Sequence, residues 1–484
     1  MPTFYVENFG CRATQADGAA IERQFRERGF EPAVSPRAAA IVVLNSCTVT
    51  AAADHDARAA IRRIRRHNPG CKIVVTGCYA QRAPEEVAAL PGVSRVIGNS
   101  HKHRLAEIVV GPHFPVSPSQ TPLSPPFPVS PLVPLSALAG VRTSAEGSSP
   151  IFVSDIFAHT ELLAAPVFEA AGQRTRPNLK VQDGCGNRCS FCVIPSVRGH
   201  SRSMPLERVL AEVNALVDAG YREVVISGIN LGRWGRDLPV KMRFERLLRA
   251  ILATTSLEKL RISSVEPMDW SGDLIQLVAS SPRIAKHAHV PLQSGSDAVL
   301  RRMHRRYRPW HYREKIEQIH AAMPLAAIGA DVMVGFPGET DAEFEHTRRM
   351  IEDLPFTYLH VFTYSPRPGT AAATRPQVPV PVARDRNRIL RELSAEKKLA
   401  FMRRTIGQTI EAITLHSLPA SQDLETGIPS SPNPGTPETS EAAFTEALTG
   451  NYLKLRLKGR HQPNRWITAK IERAEQGMLV GCVC

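Results

Sequence analysis

Gly184-Cys185-Gly186-Asn187-Arg188-Cys189-Ser190-Phe191-Cys192 sets three cysteines at C-x3-C-x2-C spacing. Three thiolates hold three corners of a four-iron cluster and leave the fourth iron open, whereas electron-transfer clusters take four. An open iron implies that a small molecule supplies the last ligand. S-adenosylmethionine, chelating through its amino and carboxylate groups, suits this spacing. The alternative is a zinc knuckle, which pairs C-x2-C with a second such pair or with two closely spaced histidines. Only His200 lies nearby.

Toward the amino terminus the cysteines are scattered. Cys11 follows Phe4-Tyr5-Val6-Glu7-Asn8-Phe9-Gly10, Cys47 follows Ile41-Val42-Val43-Leu44-Asn45-Ser46, and Cys78 follows Lys72-Ile73-Val74-Val75-Thr76-Gly77. These short β-branched runs read as buried parallel strands, and helical patterns over 16–27, 53–66 and 84–90 follow them. The expectation is a flavodoxin-like βα domain, in which the carboxyl ends of neighbouring strands share one crevice. Cysteines more than thirty residues apart would meet there and hold a second cluster. Any one of them alone would read as a small buried hydrophobe. Cys71 lies at the amino end of its strand and is given no ligand role.

Toward the carboxyl terminus, strand-like runs at 179–182, 223–227, 259–264, 287–292, 328–334 and 358–364 alternate with helical stretches at 206–217, 244–252, 274–280, 312–322 and 341–353. Six such strands with helices outside make a partial (β/α)6 barrel, whose active site lies in the loops after the strands. The loop at Cys185 follows the first strand in that way. Gly228, Glu266, Gln293 and Asp331 are placed near the same mouth as cofactor contacts or scaffold.

The expected domains are 1–110, a Pro/Ser-rich flexible insert at 111–150, the barrel over 151–404 and a small β-barrel over 405–484 interrupted by a low-complexity stretch at about 418–441. In the last, Leu453, Leu455 and Leu457 alternate with Lys454, Arg456 and Lys458, a strand with one apolar and one basic face suited to nucleic acid. Cys482-Val483-Cys484 reads as a frayed tail rather than a metal or redox pair. From Arg301 to Arg313, cations including Arg305 and Arg306 interleave with Tyr307, Trp310 and Tyr312, as phosphate-gripping and base-stacking surfaces do; a solvated helix start is the alternative, and the position after the fourth strand's loop near the barrel mouth favours RNA contact. The arginines at 58, 62, 63, 65 and 66 read as a solvent face. With 60 Lys plus Arg against 46 Asp plus Glu, the net charge of +14 suits a polyanionic partner. Neither a signal peptide nor an apolar run of about 18 residues is apparent. A cytoplasmic protein without a membrane partner is expected, whose nine cysteines serve metals rather than disulfides.

Asn8-Phe9-Gly10-Cys11, Asn45-Ser46-Cys47-Thr48-Val49-Thr50, Thr76-Gly77-Cys78-Tyr79-Ala80-Gln81, Ser227-Gly228-Ile229-Asn230-Leu231-Gly232, His289-Val290-Pro291-Leu292-Gln293-Ser294-Gly295-Ser296 and Gly335-Phe336-Pro337-Gly338-Glu339-Thr340 occur in this order. In these motifs the chain resembles the radical S-adenosylmethionine methylthiotransferases over nearly its whole length. The Cys-Thr-Val-Thr and Gly-Cys-Tyr-Ala-Gln runs are most similar to the branch acting on N6-threonylcarbamoyladenosine in tRNA. The resemblance implies two 4Fe-4S clusters, one on Cys185, Cys189 and Cys192 and one on Cys11, Cys47 and Cys78, with S-adenosylmethionine at the first and a TRAM-like terminal barrel. It further implies C2 methylthiolation of the modified adenosine at position 37, a tRNA anticodon stem-loop as substrate, and a flavodoxin or ferredoxin as electron donor. A relative acting on isopentenyladenosine or ribosomal protein S12, and a non-catalytic iron-sulfur RNA-binding protein, are the rival readings.

Overall fold

The computed structural model describes residues 1–111, 141–142, 149–160, 162–163, 175–416, 444–475 and 477–484. Most of the insert at 111–150 and all of that at 418–441 fall outside the described residues.

The amino-terminal sheet is ordered Glu31–Pro32, Thr3–Asn8, Ile41–Ser46, Lys72–Gly77, Val93–Gly98, Ile151–Phe152, Val141–Arg142, parallel except for the last pair. Its first five strands have the flavodoxin order, with the ligand crevice where the direction of winding reverses, between Thr3–Asn8 and Ile41–Ser46. Every residue of Ile41–Ser46 is buried, as a strand covered on both faces requires. The helices Arg12–Arg26 and Ala51–His67 pack on the sheet through buried Ile21 and Phe25, and Ala57, Ile61 and Ile64. Arg62, Arg65 and Arg66 are exposed on the second helix, which is its solvent face. The domain boundary expected at 150 shifts, because Ile151 and Phe152 pair with Val96 and Ile97 and extend this sheet.

The barrel strands are Asn178–Asp183, Glu223–Gly228, Lys259–Ile262, His287–His289, Ala327–Val334 and Tyr358–Thr363. Ladder pairs join them in two groups, and the parallel bridges Leu260–Ile284 and Ser264–His289 connect the groups. Alternation along the strands decides what faces the lumen. Ala288, Ala330, Val332 and Val334 belong to the core beneath the helices, so His287, His289, Gly329 and Asp331 face inward.

The helix Val380–Arg403 leads into a closed five-stranded barrel of Thr409–Thr414, Phe444–Thr449, Lys454–Lys458, Met478–Val483 and Trp466–Glu475. Leu455 and Leu457 are buried in it, while Lys454 and Lys458 are exposed. The tail expected to fray instead closes this barrel: Cys482 pairs with Lys470 and Gly481 with Ile471. Edge pairing outweighs the end effect because Leu479 and Val480 are buried.

Candidate functional site: two three-cysteine sets

Cys185, Cys189 and Cys192 lie on the loop leaving the first barrel strand. Backbone hydrogen bonds within and beyond the loop fix it: Cys192 N–H donates to Cys189 O at 3.1 Å, and Cys185 N–H to Gly199 O at 3.1 Å. Three donors surround the sulfurs. Asn187 N–H reaches Cys185 Sγ at 3.4 Å, Asn230 Nδ2 reaches the same sulfur at 3.6 Å, and Arg305 Nη1 reaches Cys189 Sγ at 3.4 Å. Burial pushes the Cys192 thiol up to about 12 and raises Cys185 as well. Thiolates in such a place need a cation, and donors aimed at sulfur are the usual surroundings of an iron-sulfur cluster. Ser227 Oγ at the end of the second barrel strand, and Asn230 Oδ1 and Gln293 Oε1 after the second and fourth, are buried with no hydrogen-bond partner among the described residues. Polar atoms of this kind await a polar ligand, which fits the amino-acid end of S-adenosylmethionine.

The second set is built by topology. Cys11 caps the helix Arg12–Arg26, Cys47 follows Ile41–Ser46, and Cys78 opens the short helix Cys78–Arg82 after Lys72–Gly77. Gly10, at φ +97°, lets the first loop close on the second, since a Cβ there would lie 2.8 Å from Cys47 Sγ. The Cys47 thiol is pushed up to about 11, by burial first and then by Cys78 and Cys11. Cys11 and Cys78 thus both lie close enough to act on the Cys47 sulfur, and Cys47 and Cys78 are buried. Cys71 precedes its strand at the opposite end of the sheet from this set.

The two sets are held together by an ionic network that the sequence did not reveal. Asp17, on the helix after Cys11, receives Lys102 at 3.0 Å, Arg198 at 3.0 Å and Lys180. Asp183, at the end of the first barrel strand, receives Lys180 at 2.8 Å and Arg198 at 2.9 Å. All five groups are buried. Burial alone would raise the Asp17 carboxyl, but Lys102, Lys180 and Arg198 hold it at about 2. Asn99 completes the junction, its Nδ2 donating to Val197 O at 2.7 Å and to Cys78 Sγ at 3.6 Å.

The remaining sequence candidates divide. Gly228 is approached by Gln182, whose Oε1 lies 2.9 Å from where a Cβ would be. Glu266 pairs with Arg305 at 3.1 Å beside Cys189, and Gln293 holds the left-handed backbone at φ +62°. Asp331 lies in the lumen, with His289 Nε2 at 3.1 Å and His360 Nδ1 at 3.3 Å. Arg305 is a correction: placed on an RNA-gripping surface by its sequence, it is buried and committed to Cys189, Glu266 and Tyr307. Tyr307 and Tyr312 are likewise buried, each donating to backbone carbonyls, so neither offers a face to a base. Arg306 and Trp310 remain exposed. On the terminal barrel Lys454 is exposed, Arg456 lies over Phe444 at 5.5 Å, and Lys458 pairs with Glu472 at 2.7 Å. No helix among the described residues is long and apolar enough to cross a membrane.

Residues 3–98 match the family described as "Uncharacterized protein family UPF0004", and residues 179–351 match the radical SAM superfamily. The chain is 33% identical over 461 residues, 95% of its own length and 91% of the relative's, to threonylcarbamoyladenosine tRNA methylthiotransferase MtaB of Bacillus subtilis. It is 33% identical to the protein of the same name from Aquifex aeolicus over 84% of this chain and 92% of that one. A tRNA-2-methylthio-N(6)-dimethylallyladenosine synthase of Salinispora arenicola is 34% identical over 85% and 76% of the two chains. Among solved structures, the radical S-adenosylmethionine methyltransferase TsrM of Kitasatospora setae, with cobalamin and a [4Fe-4S] cluster bound, superposes with a TM-score of 0.53 at 14% identity, over 77% of each chain. At that identity the likeness bears on fold alone.

Proposed function

Since the chain belongs to the radical S-adenosylmethionine methylthiotransferase family, we propose that it methylthiolates C2 of N6-threonylcarbamoyladenosine at position 37 of tRNA. The observation that carries the reading is the pair of three-thiol sets joined across Asn99 and the Asp17 network. In this reading Cys185, Cys189 and Cys192 would hold one 4Fe-4S cluster, the one that binds S-adenosylmethionine, and Cys11, Cys47 and Cys78 would hold the other. When bound, these groups supply reductive cleavage of the sulfonium, removal of the C2 hydrogen and a sulfur atom that a second S-adenosylmethionine methylates.

The protein's own share is placement. Asn230 and Arg305 donate to the cluster sulfurs, Ser227, Asn230 and Gln293 offer polar atoms to the cofactor, and Glu266 fixes Arg305. The buried network keeps the sulfur source and the radical source on one base, which must leave its stack to reach them. Lys454, Arg456 and Arg306 supply phosphate contacts. A flavodoxin or ferredoxin supplies the electron. The choice of branch is supported by relatives named for threonylcarbamoyladenosine that align over most of both chains. It is tested on matched anticodon stem-loops with and without the threonylcarbamoyl group, followed by mass spectrometry of nucleosides. Product from the modified stem-loop alone is expected. Equal action on both, or preference for an isopentenyl group, overturns the branch and leaves the family standing.

A further inference from the structure

The lumen of the partial barrel carries a polar cluster that neither set of cysteines uses. His289 and His360 flank Asp331, at 3.1 and 3.3 Å, and Tyr358 OH lies 3.0 Å from the second nitrogen of His289. The strands place these groups in register: Asp331 is paired with His360, and Gly329 lies between His289 and Tyr358. Gly329 makes the arrangement possible, since a Cβ there would lie 2.1 Å from Tyr358 Cζ. The cluster opens outward from buried His289 to His360, whose side chain is 61% exposed on the free edge of the sheet. A cleft of about 470 Å³ between that edge and the terminal barrel is lined by Tyr358, His360 and Tyr452 among others.

The same cluster reaches the second set of cysteines. The Tyr452 ring lies 5.9 Å from that of Tyr358, and Arg12 Nη2 donates to Tyr452 OH at 3.4 Å. Arg12 is the residue after Cys11. A base presented to the second cluster therefore has, within one residue of a cluster ligand, an arginine that heads a file of hydrogen-bonding groups running down the lumen.

We propose that Arg12, Tyr452, Tyr358, His289, Asp331 and His360 form the subsite that reads the carboxylate and hydroxyl of the N6 substituent. This rests on the substrate reading above and names the residues that enforce it. The threonylcarbamoyl group carries a free carboxylate, a hydroxyl and ureido N–H groups. Arg12 and the His360 ring match the first, and Asp331 accepts from the others. An isopentenyl group offers none of these and, lying over Arg12, Asp331 and His360, would displace their water without replacing its hydrogen bonds, which polar groups resist. Sites built on such hydrogen bonds reject analogues that lack them far more strongly than apolar pockets do.

The test uses the full-length enzyme, anaerobically reconstituted, with three stem-loops that differ only at the target base: threonylcarbamoyladenosine, its methyl ester and plain adenosine. For the parent, kcat/KM on the free acid should exceed that on the ester by about 100-fold. In His360→Ala that ratio should collapse by about tenfold or more, with Arg12→Gln as a second variant reporting on the carboxylate from the other end. If both variants lose activity on acid and ester in equal proportion, the subsite is wrong while the substrate reading stands. If the parent treats plain adenosine and threonylcarbamoyladenosine alike, the substrate reading fails and the subsite falls with it. A non-cluster zinc or iron ion that is present in the parent and lost in His360→Ala would make the cluster a metal site, and would equally overturn the proposal.

Discussion

The two cysteine sets have the same number of thiols and opposite constructions. Cys185, Cys189 and Cys192 lie within eight residues of one loop, which Ser190 anchors to Arg302, Met303 and Ala372 of the same barrel. Cys11, Cys47 and Cys78 are positioned by a whole sheet, and their relation to the first set depends on the docking of two domains through Asp17, Lys102, Lys180, Asp183 and Arg198. A local site tolerates loosening of the junction. A topological one does not, because small displacements between reacting groups cost large factors in rate.

The largest effect should come from the local site. Changing Cys185, Cys189 and Cys192 together to Ala should leave roughly half the iron, since each cluster takes its own three thiolates, and abolish 5′-deoxyadenosine formation. Iron analysis and chromatography of the cofactor products report both, and retained cleavage would remove the distinction between the sites.

Next is the junction. Asp17→Asn leaves Lys102, Lys180 and Arg198 buried with one fewer negative charge, a loss on the order of 3–5 kcal/mol, and the thermal midpoint of the anaerobic holoenzyme should fall clearly. Because the folded Asp17 sits at about 2 against an ordinary 3.8, its contribution is complete above the ordinary value and disappears as pH drops from there toward 2. The parent should therefore lose more stability than Asp17→Asn over that acid window. A midpoint within about a degree of the parent's at neutral pH would contradict the account.

The smallest effect is at the periphery. Neutralising Lys454, Arg456 and Lys458 should weaken binding of all tRNAs alike and flatten the salt dependence, without changing cofactor cleavage. Lys458 should contribute least, being already paired with Glu472. Loss confined to one tRNA would make this face a reader of sequence instead.

The same contrast explains what was legible in the sequence. The place of the Cys185 loop after the first barrel strand could be read from the sequence, and so could the positions of Cys11, Cys47 and Cys78 after three β-branched runs, because period and strand topology carry that information. The Asp17 network was not readable: Lys180 and Asp17 look like ordinary polar residues until the domains close on them. Arg305 misled for a related reason. A run of cations and aromatics resembles a surface, but the chain turns between Arg301 and Pro309 and buries Arg305 and Tyr307 against the cluster loop. His289, Asp331 and His360 come from three strands, and only the register brings them together. Cys482 was read as a loose end because a terminus gives no sign of which strand will accept it.

The most direct measurement takes the Cys11, Cys47 and Cys78 triple Ala variant, reconstituted anaerobically, with a threonylcarbamoyladenosine stem-loop deuterated at C2. If two separately built sites serve one base, deuterium should appear in 5′-deoxyadenosine while no methylthio product forms. Methylthio product from this variant, or 5′-deoxyadenosine free of deuterium, would contradict the account.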